Sequence, residues 1–546
     1  MVASGTRRWW ALIAIAASVL VVGLDLTVLN LALPTIAGDL HASTGDLQWF
    51  ASAYSLVLAA AVLPAGLLGD RFGRKRLLIA ALILFGVSSA ACAYANSAGA
   101  LIAARAVLGL GAAAIMPLSL AILPVLFAPE ERQKAIAIMA SATFISFPIG
   151  PLVGGWLLDN FWWGSVFLIN VPVVVIALIA VVTLMPESRS ERRPGVDGAG
   201  VVLSSLGLTG LTYGFIKAGQ DGWGNATALA TIIGGAAVLL SFVAWERLMT
   251  RRAAEREAAG GWARQPLVQL SLFRSRGFTW GTILVTMVTF AMFGILFAMP
   301  QYFQDVRGVN ALGSGVRLLP FIGGMLVGMI SGTRLAATRK SADGRPGSPL
   351  ADVKVLVAAG FVVMAAGLGV GALTSLSSST GFAAAWFAAA GVGLGLAMPT
   401  AMNAALGALT AERSGAGSAL ITAMRQVGAT IGVAILGTVL NSAYRGHLDV
   451  AGLPATAAGA ARASVSAGVQ MAHTLGSPAL LGSVRVAFVH GMDIMLWACG
   501  GIALTSALLA LAFLPRRAAA SAAGAATMTG TSEAGVTVAQ QAESGR

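Results

Sequence analysis

Gly23-Leu-Asp-Leu-Thr-Val-Leu-Asn-Leu-Ala-Leu-Pro-Thr-Ile36 sets one carboxylate, Asp25, inside an apolar run that extends from Trp9 to Pro34. About 20 apolar residues cross the hydrocarbon of a bilayer, so this run is long enough to be a membrane helix. A carboxylate near its middle costs a few kcal/mol or more, and such groups are kept for function more often than for packing. The simplest use of one is to take up and release a proton. Composition extends the membrane reading to the whole chain. Of 546 residues, 57% are hydrophobic and 10% are charged, against about 25% charged in soluble domains. The net charge of +13 comes mostly from basic residues in loops between apolar runs. That is the pattern of a polytopic membrane protein and excludes a nucleic-acid partner.

Fourteen apolar runs follow one another, at roughly 10–34, 47–68, 77–95, 100–126, 135–158, 165–185, 199–218, 226–245, 278–302, 311–333, 353–374, 381–408, 414–441 and 488–514. The first follows Arg7-Arg8 but is too long for a cleavable signal core. With the amino terminus in the cytoplasm, 27 of the 35 Lys and Arg fall on the inner side, as the positive-inside rule requires. An even number of spans then returns the carboxyl terminus to the cytoplasm. The expected class is an all-α polytopic membrane protein with 14 transmembrane helices in the cytoplasmic (inner) membrane, its principal partner being the lipid bilayer.

Gly109-Leu-Gly-Ala-Ala-Ala-Ile-Met-Pro117 in the fourth run and Gly391-Val-Gly-Leu-Gly-Leu-Ala-Met-Pro399 in the twelfth share glycines and a terminal Met-Pro at identical spacing, and Gly150 corresponds roughly to Gly432. The repeat predicts two six-helix halves, 1–190 and 278–515, with two helices inserted at 191–250. Parallel halves around a midplane site are a transporter architecture. Between the inserted pair and the second half, the mixed-charge stretch 251–277, with the residues just before it, predicts a cytoplasmic interfacial helix. Residues 442–487 form a long outer loop. The tail 516–546, rich in Ala, Gly, Ser and Thr, is expected to be disordered.

Four motifs sharpen this. Gly66-Leu-Leu-Gly69-Asp70-Arg71-Phe-Gly73-Arg74-Lys75-Arg76 gives a tight glycine turn in which Asp70 can pair with Arg71 or Arg74. Its ordered pattern resembles the signature loop of the major facilitator superfamily. That resemblance assigns gating to Gly69, Asp70, Arg71, Gly73 and Arg74. Gly150-Pro151-Leu-Val-Gly154-Gly155 allows close helix packing and a bend. It resembles the antiporter motif of the drug:proton exporters in that superfamily, which implies exchange rather than symport. Asp25, Thr27, Asn30, Ala32, Leu33 and Pro34 match the first-helix pattern of the fourteen-helix exporter branch. Trp163-Gly-Ser-Val-Phe-Leu-Ile-Asn170-Val-Pro172 resembles that branch's entry to span six, of the quaternary-ammonium and methyl-viologen resistance type. Members of that type are associated with further membrane carboxylates in the second half. Here span ten has none, and span thirteen carries Arg425-Gln426 instead.

Arg105 stands alone among apolar residues of the fourth run, about 8 Å below its outer end, and Asp25 about 13 Å below Pro34. An intramembrane arginine needs an acidic or carbonyl partner, and these depths permit mutual influence. Asp25 and Arg105 are therefore the expected proton-coupling residues. His490, Asp493 and Asp305 are expected to face the outer water. Asn30, Met116, Phe144, Phe147, Phe290, Met292, Phe293, Met299, Arg425 and Gln426 are the candidate cavity lining, an uneven surface suited to varied ligands. No enzyme site, nucleotide motif or metal spacing is present, so no cofactor is expected and the proton gradient is the driving force. The expected function is a monomeric proton-coupled antiporter exporting lipophilic, cationic drugs or biocides by alternating access. With one membrane carboxylate, monovalent cations should be handled better than divalent ones. The alternatives are a dedicated exporter of an endogenous metabolite or antibiotic, a nutrient symporter and a non-transporting sensor.

Overall fold

The structure is a computed structural model describing residues 5–189, 197–258, 266–336, 338–340, 346–349, 352–409 and 411–515. The tail expected to be disordered, 516–546, lies outside the described residues. Fourteen long helices are present among them: α1 (Gly5–Asp39), α2 (Thr44–Phe72), α3 (Arg74–Ala93), α4 (Ala98–Ala121), α5 (Pro129–Asn160), α6 (Asn170–Leu184), α7 (Gly198–Asp221), α8 (Ala226–Ala258), α9 (Arg276–Gln301), α10 (Ala311–Ala336), α11 (Val353–Gly371), α12 (Thr380–Leu406), α13 (Ala411–His447) and α14 (Pro478–Phe513). Thirteen are long and apolar enough to cross a membrane. The other, α5, opens on Pro129-Glu130-Glu131-Arg132 but runs for 32 residues, about 48 Å at 1.5 Å per residue.

Polar punctuation sets the helix starts. Ser43 and Asp46 form a reciprocal capping box at α2, and Ser97, Asp197, Ser275, Ser379 and Ser477 accept a backbone N–H at the starts of α4, α7, α9, α12 and α14. Gly73, at φ +110°, turns the chain between α2 and α3, a conformation that favours glycine.

Several boundaries differ from the sequence reading. Helix α8 continues past the expected 245 to Ala258, because Trp245–Ala258 contains strong helix formers and neither Gly nor Pro. It absorbs the start of the expected interfacial helix. Residues 259–265 lie outside the described set, and one 3₁₀ turn, Leu270–Arg274, precedes α9. A short antiparallel ribbon, Thr338–Lys340 with Pro346–Pro349, interrupts the otherwise helical chain. The loop before α14 folds into two short helices, Ala455–Ala463 and Val465–Thr474. Ser466 Oγ donates to Asp305 (2.7 Å) from the second of these, and Asp305 is half-buried beneath it. Asp493 likewise keeps one carboxylate oxygen buried without a partner. His490 is exposed and stacks on His447 at 4.3 Å.

Helices α1–α6 pack on one another, as do α9–α14, while α7 pairs with α8 and lies against both α2 and α13. The repeat reappears as geometry. A methyl group at Gly109 of α4 would lie 2.5 Å from the Tyr54 carbonyl oxygen of α2, and one at Gly391 of α12 would meet the Phe321 carbonyl oxygen of α10. In both bundles the absence of a side chain lets two backbones touch, which is how helices associate without a hydrophobic driving force.

Candidate functional site

Helices α1, α4 and α6 bring Asp25, Arg105 and Asn170 together inside the first bundle. Arg105 Nη1 donates to Asp25 Oδ2 at 2.5 Å, and both side chains are 1% exposed. Arg105 Nε donates to the Phe50 carbonyl at 3.1 Å. The guanidinium carbon lies 4.7 Å from the Tyr54 ring centre and 5.9 Å from that of Phe167, a cation–π arrangement that helps offset desolvation. Asn170 donates to Ser89 Oγ (3.0 Å), which donates to the Phe167 carbonyl (2.8 Å). Two charges removed from water in this way are tolerable only because each is paired and hydrogen-bonded. Of the residues around the pair, Phe167 and Asn170 belong to the pattern Trp163–Pro172 read in the sequence. Tyr54 and Ser89 carried no sequence signal.

The opposite side of α1 faces the second bundle. Thr27 and Asn30, with Phe147 and Pro151 of α5, Leu296 of α9, and Leu318, Phe321, Ile322 and Met325 of α10, line a cavity of about 20 Å³. That is room for about one water, and the Asn30 Oδ1 is buried there without a partner. Asp25 is not on its wall. Among the proposed cavity residues, Asn30 and Phe147 line it. Phe290, Met292, Phe293 and Met299 are instead buried in helix packing, because α9 is enclosed by neighbours over most of its length. Met116 is half-buried on α4, and the side chain of Phe144 lies outside the described residues. The α10 lining was missed, although Leu318, Phe321, Ile322 and Met325 have helical spacing.

The two bundles are joined on the face that carries residues 40–43. Gln48 Nε2 donates to the Ala434 carbonyl (3.1 Å), Thr44 Oγ1 to that of Ala463 (3.0 Å), and Gln304 Nε2 to that of Leu31 (2.8 Å). Asp159, at the end of α5, accepts from the backbone N–H of Ala311 (3.0 Å) and Leu312 (3.2 Å) and from Asn310 Nδ2 (2.7 Å), capping α10 of the other bundle. Gly150 and Gly154 press against Thr27 and Val28 of α1. Gly155 presses against the Ala311–Leu312 backbone, and the Pro151 carbonyl against Gly315. The glycine motif thus lies where α5 meets both α1 and α10.

On the basic face, Arg74 pairs with Asp70 through Nη2 (2.8 Å) and Nε (2.9 Å). The Gly73 N–H donates to the Gly69 carbonyl (3.0 Å), and Arg74 N–H to that of Ser188 (2.8 Å). Arg71 lies over Phe72. Beside this turn a cavity of about 260 Å³ separates the end of α2 (Leu63, Gly66, Leu67, Asp70) from Ala416, Ala419 and Leu420 of α13, with Pro266–Gln269 along its edge. Gln426 is buried on α13. Arg425 is half-buried, with its Nε unpartnered.

Residues 15–433 match the family model described as the Major Facilitator Superfamily. The chain is 33% identical to a tetracenomycin C resistance and export protein of Streptomyces glaucescens, over 92% of this chain and 91% of that one. It is 33% identical to the multidrug efflux pump LfrA of Mycolicibacterium smegmatis (89% and 92% covered). It is 31% identical to the methyl viologen resistance protein SmvA of Salmonella typhimurium (92% and 97%). A bacterial homologue of the human lysosomal transporter Spinster has a similar fold, with a TM-score of 0.67 at 17% identity over 94% of this chain and 99% of that one.

Proposed function

The chain belongs to the Major Facilitator Superfamily, and from that premise we propose that it is a drug exporter exchanging protons for lipophilic small molecules, cations among them. The observation that carries the proton is the Asp25–Arg105 pair, sealed inside a membrane helix bundle. A buried pair of this kind is a two-state element. Protonating Asp25 removes the charge that holds Arg105, and the guanidinium must then find other acceptors, the Phe50 carbonyl being already in reach.

By the distribution of basic loops, the Asp70–Arg74 face is cytoplasmic and so are both termini, in the inner membrane. The hydrogen bonds donated by Gln48 and Thr44 and those accepted by Asp159 then close the outer face, and the cavity beside Asp70 opens inward. In this state a substrate enters from the cytoplasm while Asp25 is ionised and paired. Rocking of the bundles about α2–α13 and α5–α10 exposes the site outward, where Asp25 takes a proton and the substrate leaves. Return to the inward state releases the proton to the cytoplasm. One charge crossing 100 mV supplies about 2.3 kcal/mol, and each pH unit adds about 1.36 kcal/mol. A single chain suffices for the cycle, and no cofactor enters it.

Fluorescent-dye transport in inverted vesicles tests this. Asp25→Asn should abolish transport driven by a pH gradient while the protein reaches the membrane at normal level. Normal coupled transport by that variant would overturn the reading. A dedicated exporter of one self-made compound is the second reading, favoured by the likeness to the tetracenomycin C resistance and export protein of Streptomyces glaucescens. Susceptibility of a deletion strain to many biocides, against few, separates the two.

A further inference from the structure

Positions 418, 422, 425, 429, 432 and 436 of α13, spaced alternately four and three apart, share one helix face. Ala429, Gly432 and Leu436 on that face are buried. Ser418, Thr422 and Arg425 are only half-buried, so the strip is open along its inner half. Ala416 and Leu420, which line the cavity beside Asp70, lie on the opposite face of α13 at about the same level. Arg425 stands at the top of the open half. Among the described residues no acidic side chain acts on this arginine, and its Nε is buried without a hydrogen-bond partner.

The neighbouring helix α9 runs parallel in register with α13. Gly428 packs on Thr286, Gly432 on Phe290, and Gly294 on Leu436. Carrying that register one turn inward sets Thr282 level with Arg425. Thr282 is 1% exposed, and its hydroxyl also lacks a partner. Two unfilled donors, one cationic, therefore stand at the same height beside the half-open strip. An arginine within a membrane bundle requires a counter-charge. Asp25 is engaged by Arg105, and Asp305, near the far end of the bundle, is held by Ser466. Asp493 is also near that end, because Gly491 packs on Leu440, about 22 Å along α13 from Arg425 at 1.5 Å per residue.

We propose that Arg425, with Thr282 level with it, is an anion-accepting subsite for the ionised phenol or carboxylate of an exported organic molecule. The counter-charge arrives with the cargo. A planar guanidinium fork suits such oxygens. The inference rests on the exporter reading and narrows it. Cation preference was argued from Asp25 alone, whose charge is already cancelled here, and the uncompensated charge on α13 is positive.

The test uses purified full-length protein in liposomes with an imposed pH gradient, with fluorescein as the anionic probe and ethidium as the cationic one. The wild type should transport fluorescein. Arg425→Gln should lower the fluorescein-to-ethidium rate ratio at least about tenfold, the worth of one charge-assisted hydrogen bond, and Arg425→Lys should restore part of it. An unchanged ratio in Arg425→Gln overturns the subsite, since a purely structural arginine would slow both probes alike. Transport of ethidium but never fluorescein by the wild type overturns it too, while leaving the exporter reading standing. Transport of neither overturns the exporter reading itself. The ratio is measured in phosphatidylcholine alone and with phosphatidylglycerol added. A response confined to the latter places a lipid headgroup at Arg425 and overturns the assignment to cargo.

Discussion

Arg105 and Phe387 occupy the same place in the two halves, each four residues before the glycine where two backbones meet. Arg105 lies 4.7 Å over the Tyr54 ring of α2, and Phe387 stacks at 4.7 Å on Phe321 of α10. The scaffold therefore packs this position without any charge. In the first half the same space holds a buried ion pair that packing does not demand, which isolates Asp25 and Arg105 as chemistry added to a common frame.

The comparison is broken most severely by copying one half into the other. Arg105→Phe alone leaves Asp25 buried without its counter-ion and should cost about 3–5 kcal/mol, since breaking a buried pair strands a charge. Adding Asp25→Leu should recover most of that loss, because an apolar pair of similar volume is tolerated at such sites. Thermal unfolding in detergent measures both. The double variant should nevertheless show no transport driven by a pH gradient. Proton-driven transport by it would mean that the two halves do not differ in the way proposed.

The seams between the bundles offer a finer contrast. Gly155 of α5 and Gly437 of α13 are repeat-related, and each faces the other bundle. A methyl group at Gly155 would lie 2.6 Å from the Leu312 Cα, a backbone atom, whereas one at Gly437 would meet the amide end of Gln48. Backbone cannot yield and a long side chain can. Gly155→Ala should therefore oppose closure of this face by about 1–3 kcal/mol, the usual cost of overpacking, and Gly437→Ala by less than about 1 kcal/mol. Spin-label distances between the ends of α5 and α10 read the closed fraction. Equal effects at the two glycines would remove the asymmetry.

These contrasts show what the sequence carried and what it withheld. Apolar runs, basic loops and the Met-Pro repeat were legible because bilayer thickness and the positive-inside rule act on local composition. Asp25 and Arg105 were conspicuous as lone charges, and their depths could be counted. Their contact could not be, since periodicity does not set how each helix is rotated against its neighbours. The same blindness put Phe290, Met292, Phe293 and Met299 in the cavity lining and left out Leu318, Phe321, Ile322 and Met325. It also hid the loop helix over Asp305, because an Ala- and Gly-rich stretch does not announce that Ser464 and Ser466 tie it down.

Asp159, the acidic residue near the end of α5, yields a smaller predicted effect than Gly155. Its repeat counterpart, Asn441, donates to the Gly219 carbonyl at the end of α7 (2.9 Å) and so ties α13 to an inserted helix. Asp159 instead accepts from the first N–H groups of α10 across the seam between bundles. A carboxylate at a helix N-terminus satisfies orphan donors and complements the dipole, so this cap exists only while the face is closed. Asp159→Ala should shift the equilibrium away from the closed face by about 1 kcal/mol, the typical worth of an N-cap. The exposure of Asp159 keeps the figure that small, since water can replace the lost carboxylate. Asn441→Ala should leave the closed fraction nearly unchanged, because its bond does not cross between the two bundles. Labelling of single cysteines placed at the α5–α10 seam reads both variants. A shift with Asn441→Ala as large as with Asp159→Ala would mean that α7 moves with the gate, and the inserted pair would then belong to the moving machinery.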